Sequence, residues 1–160
     1  MHALVQAIIL GVLTGGVYAL MASGQTLIFG TMKVVNLAQG ALVILGAYLT
    51  YTLFTQLGID PFLSVLITTP LLLLVGVAVQ WAFLRPLHGD DIGQLSLLVA
   101  FAVALGVEGL LSFAYGATLT NIQPGYANAS WTILGYQVSV VRFVAFALSL
   151  VMLGALYLLL

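Results

Sequence analysis

The sequence predicts an all-α, polytopic transmembrane helical bundle of about five spans, with a broken-helix segment near residues 24–36. Three observations lead there. Of the 160 residues, 63% are hydrophobic and 4% are charged, whereas a soluble globular domain carries about 25% charged residues. The charged side chains are Lys33, Asp60, Arg85, Asp90, Asp91, Glu108 and Arg142, and long uncharged runs lie between them. Five of these runs approach the roughly 20 apolar residues that take a helix across the hydrocarbon core. The lipid bilayer is therefore the main solvent of this chain and its first partner.

The first run covers residues 3–23 and is expected to end where Gly24, Gln25 and Thr26 raise the polarity, ahead of Gly30-Thr31-Met32-Lys33. No Lys or Arg precedes its apolar part, so it reads as a retained span and not as a secretory signal. Asn36 stands before the second run, residues 37–57, where its side-chain oxygen is suited to accept a free backbone N–H. Gly58-Ile59-Asp60-Pro61 then makes a tight turn. The third run, residues 62–84, is interrupted only by Pro70, which membrane helices tolerate when neighbours satisfy the freed carbonyl. A loop over residues 85–94 carries Arg85, Asp90, Asp91 and His88 before the fourth run, residues 95–115, which contains Glu108. Residues 116–141 include Pro124-Gly125, Asn121, Asn128 and Trp131, too polar and turn-rich for a span, and are expected to form an ordered extramembrane loop. The fifth run, residues 142–160, reaches Tyr157-Leu158-Leu159-Leu160 without a polar end, as though cut at a membrane boundary.

Charge placement sets an expected orientation. Lys33 and Arg85 fall on one side of a five-span layout, and Asp60 and the 116–141 loop fall on the other, so the positive-inside bias places the N-terminus outside. Arg142, at the outer edge of the last span, runs against that bias. Tyr51, Trp81 and Trp131 suit interfacial positions. No internal repeat or linker divides the chain, which reads as a single transmembrane domain over residues 1–160.

Several function classes lose their footing on composition. A net charge of -1 without a basic cluster gives no footprint for nucleic acid. There is no cysteine, and His2 and His88 have no ligand-spaced companions, so no metal site is expected. Neither a P-loop, an HExxH nor a GxSxG pattern occurs, which leaves an enzyme reading without a nucleophile or base and no cofactor to expect.

Two features point to roles inside the membrane. Gly11, Gly15, Ala19 and Ser23 recur every four residues, a smooth stripe that reads first as a helix-packing face and less readily as a path lined by backbone. Glu108 is an acid well inside a span, where its cost demands either a partner, for which Arg142 is the candidate, or a place on a permeation path.

The stretch from Gly16 to Gly40 reads GVYALMASGQTLIFGTMKVVNLAQG. Its pattern, carried by Gly16, Tyr18, Ala19, Leu20, Ala22, Gly24, Leu27, Ile28, Gly30, Asn36, Ala38 and Gly40, resembles the opening of the permease family of branched-chain amino acid ABC importers. Leu45-Gly46-Ala47-Tyr48, Arg85-Pro86-Leu87 with Gly89, and the Leu97–Leu111 stretch extend the resemblance over essentially the whole chain. It implies a multi-pass permease of the prokaryotic plasma (inner) membrane that moves leucine, isoleucine or valine by alternating access. It also implies three protein partners: a second permease subunit, cytoplasmic ATPase subunits and a periplasmic substrate-binding protein. Asn36, Gln39 and Glu108 become substrate-pathway candidates. Where many family members carry His-Gly-Glu, this sequence has Gln39-Gly40-Ala41, so no ionisable group is expected to act there. Family members are also longer and carry a segment that docks on the ATPase, to which nothing here corresponds. A permease for urea or short amides shares the same scaffold, and a truncated, non-transporting membrane scaffold is the reading of a different class.

Overall fold

The computed structural model describes residues 2–32, 36–87, 92–116, 120–133 and 136–159. Five helices among the described residues are long and apolar enough to cross a membrane. They are α1 (His2–Met32), α2 (Ala38–Leu57), α3 (Pro61–Val79, prolonged by a π turn Gln80–Leu84), α4 (Ile92–Tyr115) and α5 (Val140–Leu159). A hairpin of β1 (Ser130–Ile133) and β2 (Tyr136–Ser139) precedes α5.

The spans follow the apolar runs, and one expected break moves. Helix α1 does not stop at Ser23 but continues through Gly24, Gln25 and Thr26 to Met32, a length of 31 residues. At about 1.5 Å per residue that exceeds the roughly 30 Å hydrocarbon core, so its end reaches the headgroups. Two hydroxyls in the expected break are absorbed into the helix, with Ser23 donating to Leu20 O and Thr26 to Ala22 O. Ser23 and Thr26 thus keep their bonds inside the ladder, which lipid favours because it offers no water to a broken one, whereas the buried Gln25 Oε1 finds no hydrogen-bond partner among the described residues. Helix α1 is described to Met32 and α2 begins at Ala38, with Asn36 and Leu37 outside any helix. Lys33, on which part of the orientation rests, lies outside the described residues, as do His88, Gly89, Asp90 and Asp91.

Helix ends obey local chemistry. Asn36 Oδ1 accepts from Ala38 N at 3.1 Å, the cap expected before α2. At the other end Gly58 adopts φ 65°, a left-handed conformation open to glycine, and Gly58 N and Ile59 N close on Phe54 O and Leu53 O. Asp60 then caps α3, its Oδ1 accepting from Phe62 N at 2.9 Å, with Pro61 at the first helical position. Pro70 sits inside α3 without ending it. Buried hydroxyls are satisfied within their own helices: Ser64 donates to Pro61 O, Thr68 to Ser64 O, Ser96 to Gly93 O and Ser149 to Phe146 O. The backbone ladder takes these four hydroxyls, so they place no unsatisfied polar atom on the helix surfaces.

The chain divides into two compact units, residues 1–27 with 123–160 and residues 28–122. In the first, the expected extramembrane loop proves partly ordered by the hairpin, which pairs Ser130 with Ser139 and Ile133 with Tyr136 in antiparallel register. Gln6 Nε2 donates to Gln137 O, and the His2 and Tyr136 rings lie 4.9 Å apart, which ties the start of α1 to β2. Further along, Phe146 and Ser149 of α5 press on Gly16, where an added Cβ would meet the Phe146 ring. Contacts therefore advance together along α1 and α5, so these two helices run parallel. Trp131 packs edge-on to Phe143, centroids 5.8 Å apart.

In the second unit, α2 packs on both α3 and α4. The tight Gly58–Asp60 turn makes α3 antiparallel to α2. The core of this unit is a cluster of Ala38, Ala41, Ala100 and Ala104, flanked by Val103 and Val107.

Candidate functional site

The seam between α2 and α4 is built differently at its two ends. At the Ala38 end, Ala38, Ala41, Ala100 and Ala104 are buried together with Val103 and Val107 packed against them, small residues that let helix backbones approach closely. At the far end the side chains are large: the Tyr48 and Tyr115 rings stack tilted at 4.6 Å, and Thr52 Oγ1 meets Tyr115 Oη at 2.6 Å. Ala38 and Ala41 cluster with Ala100 and Ala104 early in both helices, and Thr52 meets Tyr115 late in both, so the helices run parallel, with small residues at one end and tyrosines at the other.

Beside the tyrosines lies a cavity of about 430 Å³, lined by Ile44, Ala47, Tyr48, Tyr51, Thr120, Asn121 and Ile122. Its α2 residues share one face because 44, 47, 48 and 51 follow the i, i+3, i+4, i+7 spacing. The stretch beyond Gly116 supplies Thr120 and Asn121. None of these side chains is charged, so the wall offers hydroxyl and carboxamide groups against apolar Ile44, Ala47 and Ile122.

The tyrosine end has a defined proton arrangement. Thr52 has one hydroxyl proton and donates it to Tyr48 O at 2.9 Å. In the 2.6 Å contact Tyr115 is then the donor and Thr52 the acceptor. Tyr115 is held by a hydrogen bond and a ring contact together, which fixes the mouth of the seam.

The residues singled out in the sequence spread along this unit and the other. Asn36 and Gln39 lie half-buried at the alanine end of α2, with Asn36 Oδ1 engaged in capping Ala38 N. Glu108 is exposed on α4. It stands seven residues before Tyr115, about 10 Å along the axis and on nearly the same face. Arg142 is exposed at the start of α5, in the other unit. Gly11, Gly15 and Ala19 are exposed on α1 and Ser23 is half-buried. Among the described residues, a Cβ added at Gly11 or Gly15 would meet nothing within 4 Å, and the glycine that α5 does press on is Gly16. The structure brings neither Asn36 nor Gln39 to the cavity lining, whose Tyr48, Tyr51, Thr120 and Asn121 had no part in the expected pathway. The i, i+3, i+4 run Tyr48, Tyr51, Thr52 is the sequence signal that could have found the α2 wall.

Five spans, with buried serine and threonine hydroxyls bonded within their own helices and an uncharged, mixed polar and apolar cavity at one end of a helix seam, define a multi-pass α-helical membrane protein. The family model described as "branched-chain amino acid transport system / permease component" matches residues 7–160, and the chain belongs to that family. It is 33% identical over 152 residues to the probable branched-chain amino acid transport permease protein LivH of Methanocaldococcus jannaschii, a match covering 88% of this chain and 46% of LivH. It is 28% identical over 98 residues to the high-affinity branched-chain amino acid transport system permease protein BraD of Pseudomonas aeruginosa, covering 54% of this chain and 31% of BraD. The chain thus spans about half the length, or less, of the curated relatives it matches. No solved structure matches it. Family and spans together make it a multi-pass protein of the prokaryotic plasma (inner) membrane.

Proposed function

We propose that this chain supplies transmembrane helices of the permease of an ABC importer for branched-chain amino acids. The observation that carries this reading is the family match running through all five spans. A second permease subunit, cytoplasmic ATPase subunits and a periplasmic binding protein are its partners, and the permease itself contributes a gated route. Such a route needs two ends that open in turn, and a seam with small residues at one end and tyrosines at the other has that asymmetry. The N-terminus, Asp60 and Asn128 lie outside and Arg85 lies inside, an orientation that rests on Lys33 and Arg85 sharing one side of the five-span layout. Asn36, Gln39 and Glu108 are polar points along the route. The open face at Gly11, Gly15 and Ala19 packs against a helix beyond the five described.

The test is ATP-dependent uptake by the complete transporter in proteoliposomes, with its binding protein added on the outer side. Uptake of leucine, isoleucine and valine, little reduced by excess urea or acetamide, is the expected result. Uptake of urea or acetamide with none of leucine would replace the substrate class, and ATP-independent or absent uptake of all of them would remove the importer reading.

A further inference from the structure

We propose that the cavity at the Tyr115 end of α2 and α4 is a reception site for a zwitterionic aliphatic amino acid, an assignment that rests on the permease reading above. Its volume of about 430 Å³ falls within the roughly 300–1,000 Å³ of small-molecule sites. The lining holds both kinds of group that such a ligand requires. Ile44, Ala47 and Ile122 are apolar partners for a branched side chain, and Tyr48, Tyr51, Thr120 and Asn121 supply hydrogen-bonding groups for the head. The Asn121 carboxamide accepts through oxygen and donates through nitrogen, so one side chain serves both an ammonium and a carboxylate, and the hydroxyls do likewise.

The absence of charge in the lining is what selects the ligand class. A zwitterion carries no net charge and is satisfied by neutral donors and acceptors. A ligand with a charged side chain would bring an ion into a lining without a counter-ion, at a cost that hydrogen bonds alone do not offset. The wall is ready before the ligand arrives: Thr52 ties the Tyr48 carbonyl, and the Tyr115 ring supports the Tyr48 ring, so little ordering remains to be done on binding.

The experiment is equilibrium binding of radiolabelled leucine and lysine to the assembled transporter in detergent, without the binding protein, alongside the uptake assay. Three forms are compared: wild type, Ala47→Phe, which fills the apolar wall, and Tyr51→Phe, which deletes a hydroxyl and keeps the ring. Wild type is expected to bind leucine measurably and lysine at least about tenfold more weakly. Ala47→Phe should raise the Kd for leucine at least about tenfold, and Tyr51→Phe should raise it about fivefold. An importing wild type that binds no leucine, or assembled variants with an unchanged Kd, would overturn the assignment while leaving the permease reading in place. Should Ala47→Phe not assemble, Tyr51→Phe decides alone. A wild type that fails to import leucine with ATP removes the permease reading itself, and that result is separate from the binding outcome.

Discussion

Tyr115 of α4 donates a 2.6 Å hydrogen bond to Thr52 of α2, whose own proton is already committed to the Tyr48 carbonyl. Tyr115→Phe removes the donor and leaves Thr52 otherwise satisfied, so no buried group is orphaned. The expected loss is about 0.5–1 kcal/mol, in line with interhelical hydrogen bonds within bilayers. A double-mutant cycle with Thr52→Val, read as thermal stability of the detergent-solubilised complex, should return a coupling of that size. Zero coupling would mean that the ring contact alone holds the helices.

Neighbouring glycines on α1 should respond differently to one substitution. Gly16→Leu drives a side chain into Phe146 and should destabilise even the isolated chain by about 1–3 kcal/mol. Gly15→Leu meets open space within this chain and should be silent there, but should cost a similar amount in the assembled complex. Equal thermal shifts for Gly15→Leu in both settings would show that this face looks at lipid.

These 160 residues contain no cysteine, so a single thiol introduced among them adds no second label within this stretch. Asn128→Cys and Asp60→Cys should react with an impermeant maleimide in intact cells, whereas Arg85→Cys should require permeabilisation. The reverse pattern would invert the orientation.

The cap of α3 offers a local stability test. Asp60→Ala deprives Phe62 N of its acceptor at a helix start and should cost about 0.5–2 kcal/mol, whereas Asp60→Asn or Asp60→Ser should restore most of it. An unchanged melting temperature for Asp60→Ala would show that packing at the turn holds α3 without the cap.

What the sequence made legible was whatever depends on local runs. The spans stood out because uncharged apolar stretches have few alternatives in lipid, and Asn36 announced a helix start through its own chemistry, whereas Asp60 read only as part of a turn. The expected break at Gly24–Thr26 failed because raised polarity was read as the end of a span, whereas Ser23 and Thr26 return their protons to the helix that contains them. The hairpin was hidden inside a turn-rich stretch whose strands are only four residues each. The cavity was least legible, because its wall joins Tyr48 and Tyr51 to Thr120 and Asn121 across a distance in sequence that no periodicity spans. Asn36, Gln39 and Glu108 drew notice as polar exceptions in an apolar background, a signal that marks cost without marking which groups converge.

The π turn at Gln80–Leu84, closed by Arg85 N on Gln80 O at 2.8 Å, holds one residue more than an α-helical turn would. Such a turn is slack stored in the backbone. If it migrates toward Pro61, each residue it passes swings by about 100° around the helix axis while the ladder re-forms behind it. Side chains such as Val79 and Gln80 can thus change the direction they face without α3 unwinding or sliding as a body.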